Sequence, residues 1–443
     1  MDADAVVVGL GPGGEEVAGR LAEAGLEVVG IEAELVGGEC PYWGCIPSKM
    51  MVRAADLLAE GRRIPGMAGR SEITPDWSPV ARRIRDEATD SWDDQVAVDR
   101  FVGKGGHFVR GRARVTSARS VEVAGQTIAA RKALVLATGA KAWVPPLFAD
   151  VPHWTNREAI AAETLPSSLL VIGGGAIGVE IGQAMSRFGV EVTIVEMDQR
   201  LLALEEPEVS ELLTQILRRQ GMVVHTGVQI DRVERMGEGG ATVHFADGTS
   251  LSGERMLVAT GRRTDLAGLG AAALGLDATA RSLPVNDHMR VMPGVWGVGD
   301  LTGKGAFTHV AMYQARICVA DILGLPNPGA DYRALPRVTF TDPEIGSVGL
   351  TEAAARAGGG EVNVRQASIA SSTRGFIHKG EGMVKLVARD GVVVGATSMG
   401  PSGGEVLGLL ALAVHARITV DTLKGMIFAY PTFHRAIDSA LWS

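Results

Sequence analysis

The stretch GGECPYWGCIPSK (residues 37–49) holds two of the three cysteines in a chain of 443 residues, Cys40 and Cys45, with four residues between them. So close a pair cannot staple a chain this long, and in a reducing compartment it reads as catalytic or metal-binding. No second cysteine pair or nearby histidine completes a tetrahedral set, which disfavours metal. Cys45 begins Cys-Ile-Pro-Ser-Lys, a helix-start pattern, because proline is tolerated in a first turn. A thiol at a helix N-terminus is stabilised as thiolate, well below its free value of about 8.5. The third cysteine, Cys318, lies in HVAMYQARICVADIL and reads as a small buried hydrophobe on an amphipathic helix.

The elements that must position this pair emerge from an internal repeat. AVVVGLGPGGEEVAGRLAEAGLEVVGIE (5–32) and LLVIGGGAIGVEIGQAMSRFGVEVTIVE (169–196) align without a gap. Each is an apolar strand, a GxGxxG turn, an amphipathic helix, a second strand and a glutamate. The turns are Gly9, Gly11, Gly14 and Gly173, Gly175, Gly178; the glutamates are Glu32 and Glu196. In such a unit the first glycine makes the tight turn, the second admits a pyrophosphate and the third lets helix pack on strand. The pyrophosphate rests on the helix N-terminus and the acid accepts from ribose hydroxyls. With 58 glycines in the chain one such motif is weak evidence, but two in register with their glutamates are strong. ALVLATGA (133–140) and RMLVATGR (255–262) close the two units with a strand running into Ala-Thr-Gly. Two dinucleotides and a cysteine pair suggest an electron path from a nicotinamide through a flavin to a disulfide.

Bulk properties narrow the setting. A net charge of −8 argues against nucleic-acid or anionic-membrane partners. The start MDADAVVVGLG has no basic region of a signal peptide, and LGLLALAV (407–414) is too short to span a bilayer, so a cytoplasmic protein is expected.

The chain resembles the class I pyridine nucleotide–disulfide oxidoreductases, which include dihydrolipoyl dehydrogenase, glutathione reductase and mercuric reductase. The resemblance spans essentially the whole chain. It rests on GLGPGG, the GGxCxxxGCIPSK block, both ATG turns, GGGAIGVE, VWGVGD (295–300) and TFTDPEIGSVGLTE (339–352). It implies an α/β fold with two Rossmann-like dinucleotide-binding domains, for FAD and NAD, plus an α+β dimerisation domain. The repeat partitions the chain into FAD-binding 1–143, interrupted by a helical hairpin-like stretch over 48–100, nicotinamide-binding 144–264, a return to the flavin at 265–333 and a last part at 334–443, which the resemblance makes the dimerisation domain. FAD would be held by Gly9, Gly11, Gly14, Glu32, Thr138, Gly139 and Asp300, with Ala113 near the adenine. The helix starting at Thr308-His309 would face the flavin's pyrimidine end. Gly173, Gly175, Gly178, Glu196 and Gly261 would serve the nicotinamide coenzyme. The resemblance further makes Cys45 the flavin-proximal charge-transfer thiolate of a redox-active disulfide, Cys40 the outer exchanging sulfur, and Lys49 the partner of flavin N5 and of Glu180. NADH is expected over NADPH, because Glu196 sits where a 2′-phosphate would go. Like charges about 4 Å apart cost roughly 4 kcal/mol at an effective dielectric near 20; Arg200 is the cation that could offset this.

One segment departs from the pattern. The dihydrolipoyl and glutathione enzymes carry HPTxxE near the C-terminus, a histidine–glutamate pair reaching in from the other subunit. This chain reads AYPTFHR (429–435), with Tyr430 and Arg435 at those two places and a displaced His434. Tyr430, as proton donor or stacking wall, and His434 are the catalytic candidates in place of that histidine–glutamate pair; tyrosine, of pKa about 10, is an acid but a poor base at neutral pH. The reading is a homodimeric FAD enzyme passing electrons from NADH through Cys40–Cys45 to a small disulfide or similar acceptor. Alternatives are direct flavin reduction of a quinone or metal ion, or a dihydrolipoyl dehydrogenase with altered acid–base residues. The rings of Tyr42 and Trp43, between the cysteines, either wall an apolar mouth or pack underneath.

Overall fold

A computed structural model describes residues 2–443. The chain divides into two compact units. The first takes residues up to Met50, Ala81–Trp143 and Gly261–Asp331; the second takes Met51–Val80, Val144–Thr260 and Tyr332–Ser443.

In the first unit, β1 (Asp2–Val8) is flanked by β2 (Val28–Glu32) and by the strand Gln126–Leu136, all parallel. The sheet continues to His107–Arg110 beyond β2, and to Val295–Gly297 and Arg290–Met292 on the other side. The unbroken apolar run of β1 reflects burial on both faces, as parallel sheets require. Ala5 and Val7 pack against Val17 and Leu21 of α1 (Pro12–Glu23) and Cys318 of the helix Thr308–Ile322. Val6 and Val8 pack the opposite way, with Leu134, Leu136 and Leu266. Each such valine contributes roughly 1.5–3 kcal/mol by leaving water. After β2 come two helices, α2 (Glu39–Trp43) and α3 (Cys45–Arg63).

α3 is the first arm of the expected hairpin; the second arm is broken. Ser78–Arg82 is α-helical and Arg83–Ala88 is a wider π turn, closed by Thr89 N donating to Ile84 O at 3.1 Å. Asp90, Ser91 and Trp92 are then all left-handed, with φ of 48°, 56° and 60°, before the helix Gln95–Gly103. Each non-glycine residue there costs about 1–2 kcal/mol, so the break needs anchors. Buried Asp94 provides one, accepting from Val36 N at 2.6 Å and pairing with Arg110 at 2.6 Å.

The second unit carries a four-stranded parallel sheet in the order Val223–His225, Glu191–Val195, Ser168–Ile172, Arg255–Val258. Beside it lie a three-stranded antiparallel sheet within 230–253 and a five-stranded antiparallel sheet within 336–400. The latter packs on the helices Gly403–His415 and Arg435–Leu441. Lys385, only 1% exposed, binds Glu206, Glu208 and Glu352 at 2.9–3.0 Å. Burial alone would pull its pKa down, but the hydrogen bonds to the three carboxylates push it above the ordinary lysine range. The class is α/β, two Rossmann-like parallel sheets with an α+β C-terminal part. Among the described residues no helix is long and apolar enough to cross a membrane.

Candidate active site

Gly37 and Gly38, at φ of 103° and 66°, turn the chain into α2, which carries Cys40. A Cβ on Gly38 would come within 2.8 Å of the Gly11 Cα, so only glycine lets this turn lie against the glycine loop. Cys45 is the first residue of α3, and Ser48 N donates to Gly44 O at 3.0 Å. The Cys45 sulfur, exposed, lies 3.4 Å from Oγ1 of Thr308, the first residue of the helix Thr308–Ile322. Two helix N-termini thus meet at one sulfur, and both favour negative charge there. Cys40 and Cys45 are both free thiols, and they do not titrate alike. A hydrogen bond from Cys40 brings the Cys45 thiol down to about 6, against the opposing effect of burial and with help from Thr308 and Lys49. The same hydrogen bond, with burial, pushes Cys40 well above the ordinary thiol range. Cys318 is fully buried.

The two aromatic residues between the cysteines diverge. Tyr42 is 6% exposed and packs inward. Trp43 stacks on Trp92, with ring centroids 5.2 Å apart and planes 19° apart. Sequence alone did not pair Trp43 with Trp92, nor Cys45 with Thr308, which is 263 residues away. No local signal marks such contacts.

Both glycine loops have the geometry of dinucleotide sites. Gly9 and Gly173 are left-handed, and a Cβ on either would lie 2.5 Å from the carbonyl oxygen of Ala137 or Ala259. A Cβ on Gly14 or Gly178 would fall 1.9 or 2.1 Å from the carbonyl of Gly9 or Gly173. The middle glycines differ: a Cβ on Gly11 or Gly175 would meet nothing within 4 Å. Packing does not explain those two glycines; the open space is what close approach of a pyrophosphate would need. Glu32 accepts from Leu10 N at 2.7 Å and Glu34 N at 2.8 Å, and Glu196 accepts from Gly174 N at 2.6 Å and Asp198 N at 2.8 Å. Each acid is thereby fixed at the end of its second strand.

The remaining expected residues divide between the two units. In the first, Thr138 and Gly139 come just after the strand Gln126–Leu136, Gly261 is left-handed with φ of 118°, and Ala113 is buried. Burial raises the Asp300 carboxyl, against the pull of Arg262, whose Nε lies 3.7 Å away. Among the described residues that buried Nε has no hydrogen-bond partner, a further sign that a polar group belongs here. The site thus fits FAD. Exposed His309 stacks on Phe307 with centroids 5.2 Å apart. Lys49 lies one turn into α3.

Glu180, Tyr430 and His434 belong to the second unit. Glu180 is buried in the helix Ala176–Arg187 and accepts from Phe340 N at 2.8 Å. Tyr430 is 66% exposed; its hydroxyl donates to Thr373 Oγ1 at 3.3 Å, and the Arg435 guanidinium lies 5.6 Å over its ring. His434 immediately precedes the helix Arg435–Leu441. His378, which no local pattern singles out, meets Phe433 edge-on at 5.6 Å, and among the described residues its buried Nδ1 has no hydrogen-bond partner.

Comparison with known proteins gives the family. Residues 3–315 match the pyridine nucleotide-disulphide oxidoreductase family, and 335–441 match its dimerisation domain. A dihydrolipoyl dehydrogenase of Chlorobaculum parvum is 33% identical over 99% of this chain and 96% of its own. A mercuric reductase of Bacillus cereus is 30% identical over 99% of this chain and 71% of its own. The crystal structure of LpdA from Mycobacterium tuberculosis superposes with a TM-score of 0.86 at 26% identity, covering 99% of both chains. The chain belongs to the pyridine nucleotide-disulphide oxidoreductase family, as an FAD-dependent enzyme that carries electrons between NAD(P)H and a disulfide.

Proposed function

We propose that this enzyme draws electrons from NADH and passes them through Cys40 and Cys45 to a small disulfide or similar acceptor. The observation that carries the reading is the placement of Cys45 at the start of α3 and 3.4 Å from Thr308 Oγ1, where two helix N-termini favour its thiolate, beside a Cys40 thiol held above the ordinary range. In acceptor reduction Cys40 forms a mixed disulfide with one acceptor sulfur, its proton going to the other acceptor sulfur as that leaves. The Cys45 thiolate then attacks Cys40, closing Cys40–Cys45 and releasing the second acceptor sulfur, which takes a proton from solvent. A cavity of about 610 Å³ in the first unit reaches Cys40. Its lining sets Glu15, Glu16, Glu87, Asp90 and Asp93 against Arg100 and Lys104, which favours neutral or cationic acceptors over anionic ones.

When bound, FAD supplies a two-electron carrier between the nicotinamide and the sulfur pair. Its assigned holders are Gly9, Gly11, Gly14, Glu32, Thr138, Gly139, Asp300 and His309, with Ala113 at the adenine. Lys49 and Glu180 are assigned to the flavin's reactive edge. Gly173, Gly175, Gly178, Glu196 and Gly261 are assigned to the coenzyme. Two features favour NADH. The Glu196 carboxylate is tied in place by two amides, and Arg200 is occupied by Glu205 O at 2.6 Å, Ala203 O at 2.8 Å and Ser210 Oγ at 3.1 Å.

The functional form is a homodimer, with residues 334–443 as the interface and Tyr430 of one subunit standing over Cys40 of the other as proton donor or wall. Support comes from the exposed apolar side chains of this segment, including Phe376, Ile427 and Trp442.

NADH consumption with oxidised small thiols, quinones and metal ions tests the reading. Disulfide turnover should fall at least a hundredfold in Cys40→Ser and in Cys45→Ser. Tyr430→Phe should slow acceptor reduction severalfold and spare flavin reduction, whereas His434→Ala should change little. Full quinone turnover by Cys40→Ser, without disulfide turnover by the native enzyme, would replace this reading with direct flavin reduction.

A further inference from the structure

The turn over residues 89–94 carries three consecutive left-handed residues after a π turn, and it touches the Cys40 segment twice. Asp94 holds Val36 N at 2.6 Å, just before the Gly37–Gly38 turn into α2. Trp92 stacks on Trp43, the last residue of α2, three positions after Cys40. α2 is a five-residue helix and has little intrinsic stability of its own. It is thus gripped at both ends by a turn that is itself strained. Among the described residues the buried indole Nε1 of Trp92 has no hydrogen-bond partner, so the stack is kept despite an unmet polar group. Strain that the surroundings enforce tends to lie at functional sites.

We propose that Trp92 and Asp94 are positioning residues for Cys40, holding α2 so that the Cys40 sulfur stays within bonding reach of Cys45. The inference rests on the proposed redox role of the pair. A disulfide needs its sulfurs about 2.05 Å apart with a narrow range of torsion. Every orientation that α2 loses through the grip raises the effective concentration of one sulfur at the other and favours the disulfide. Reduction by dithiothreitol breaks the Cys40–Cys45 S–S bond and closes one in the reagent. Two electrons pass to the protein sulfurs, Cys40 takes a proton as thiol, Cys45 remains thiolate, and the second reagent proton goes to solvent.

The test equilibrates the flavin-loaded enzyme with mixtures of reduced and oxidised dithiothreitol and counts alkylated Cys40 and Cys45 by mass spectrometry, with no acceptor present. Trp92→Ala should shift the equilibrium about tenfold toward the dithiol, roughly 30 mV for a two-electron couple, and Trp92→Phe should stay within about twofold. Asp94→Ala, which removes the acceptor of Val36 N, should shift it the same way by a smaller factor and serves if Trp92→Ala does not fold. Native values in both Trp92→Ala and Asp94→Ala would overturn the inference while leaving the redox pair standing. A native enzyme that forms no Cys40–Cys45 disulfide in any mixture would overturn both.

Discussion

The glycine loops at Gly9–Gly14 and Gly173–Gly178 are two solutions to one problem. Gly9 N donates to Ile31 O at 2.8 Å, and Gly173 N donates to Val195 O at 2.9 Å. In the first loop Gly37 N returns to Leu10 O at 2.7 Å; in the second Leu202 N returns to Gly174 O at 2.9 Å. The returning residue is left-handed in both, at φ of 103° for Gly37 and 48° for Leu202. The second copy thus carries a leucine where the first carries glycine, at a cost of about 1–2 kcal/mol. The buried neighbour Leu201 and the bonds of Arg200 hold it there. The first copy has no such latitude, because its returning turn must lie against Gly11 and then deliver the Cys40 helix. The fingerprint fixes the loop, while the segment that returns to it sets how much strain is tolerated.

The hardest break is at the third glycine. Gly14→Ala should cost the first unit several kcal/mol and leave colourless protein, because its Cβ overlaps a carbonyl. Gly178→Ala should give yellow protein that no longer binds the nicotinamide coenzyme, as flavin absorbance and coenzyme titration would reveal. The middle glycines sharpen the comparison. Gly11→Ala and Gly175→Ala enter open space, so melting of the cofactor-free protein should change by no more than about 0.5 kcal/mol. FAD affinity in one and coenzyme affinity in the other should still fall tenfold or more. Unchanged affinity would mean that the open space is not a ligand's.

The cysteine helix that only the first loop delivers can be titrated. In the reduced protein, alkylation of Cys45 should rise through about pH 6, since only the thiolate reacts and it prevails above its pKa. Thr308→Val should move that midpoint upward and Thr308→Ser should restore it, a change of up to about tenfold in rate at pH 6. The smallest effect belongs to the two glutamates. Glu196→Gln should narrow the preference for NADH over NADPH severalfold, and Glu32→Gln should leave it alone, as the ratio of kcat/KM values would show.

These two loops were legible because their determinants are local. Glycines at fixed spacing, a flanking apolar strand and a glutamate after the second strand all sit within 28 residues. Cys45 as a helix start was legible for the same reason. The Arg- and Ala-rich stretch over 48–100 promised two helical arms, and local propensity offered no sign that Asp90, Ser91 and Trp92 would turn left-handed. That conformation is held from outside by Val36 and Trp43. Thr308 beside Cys45 and His378 beside Phe433 were invisible for a related reason: each is a meeting of distant segments, and a threonine or histidine carries no pattern that names its neighbour.

Lys385 bears on how such a chain can be recombined. Glu206 and Glu208, at the start of the helix Pro207–Arg219, come from one stretch of the second unit, whereas Lys385 and Glu352 come from another. A chimera exchanging residues 144–260 alone would strand a buried ammonium short of two carboxylates, and the reverse exchange would strand the acids. Breaking a buried ion pair from one side costs about 3–5 kcal/mol, a large share of the roughly 5–15 kcal/mol by which a domain is stable. A seam placed between the two stretches therefore succeeds only if Lys385 and its glutamates are matched on both sides of it.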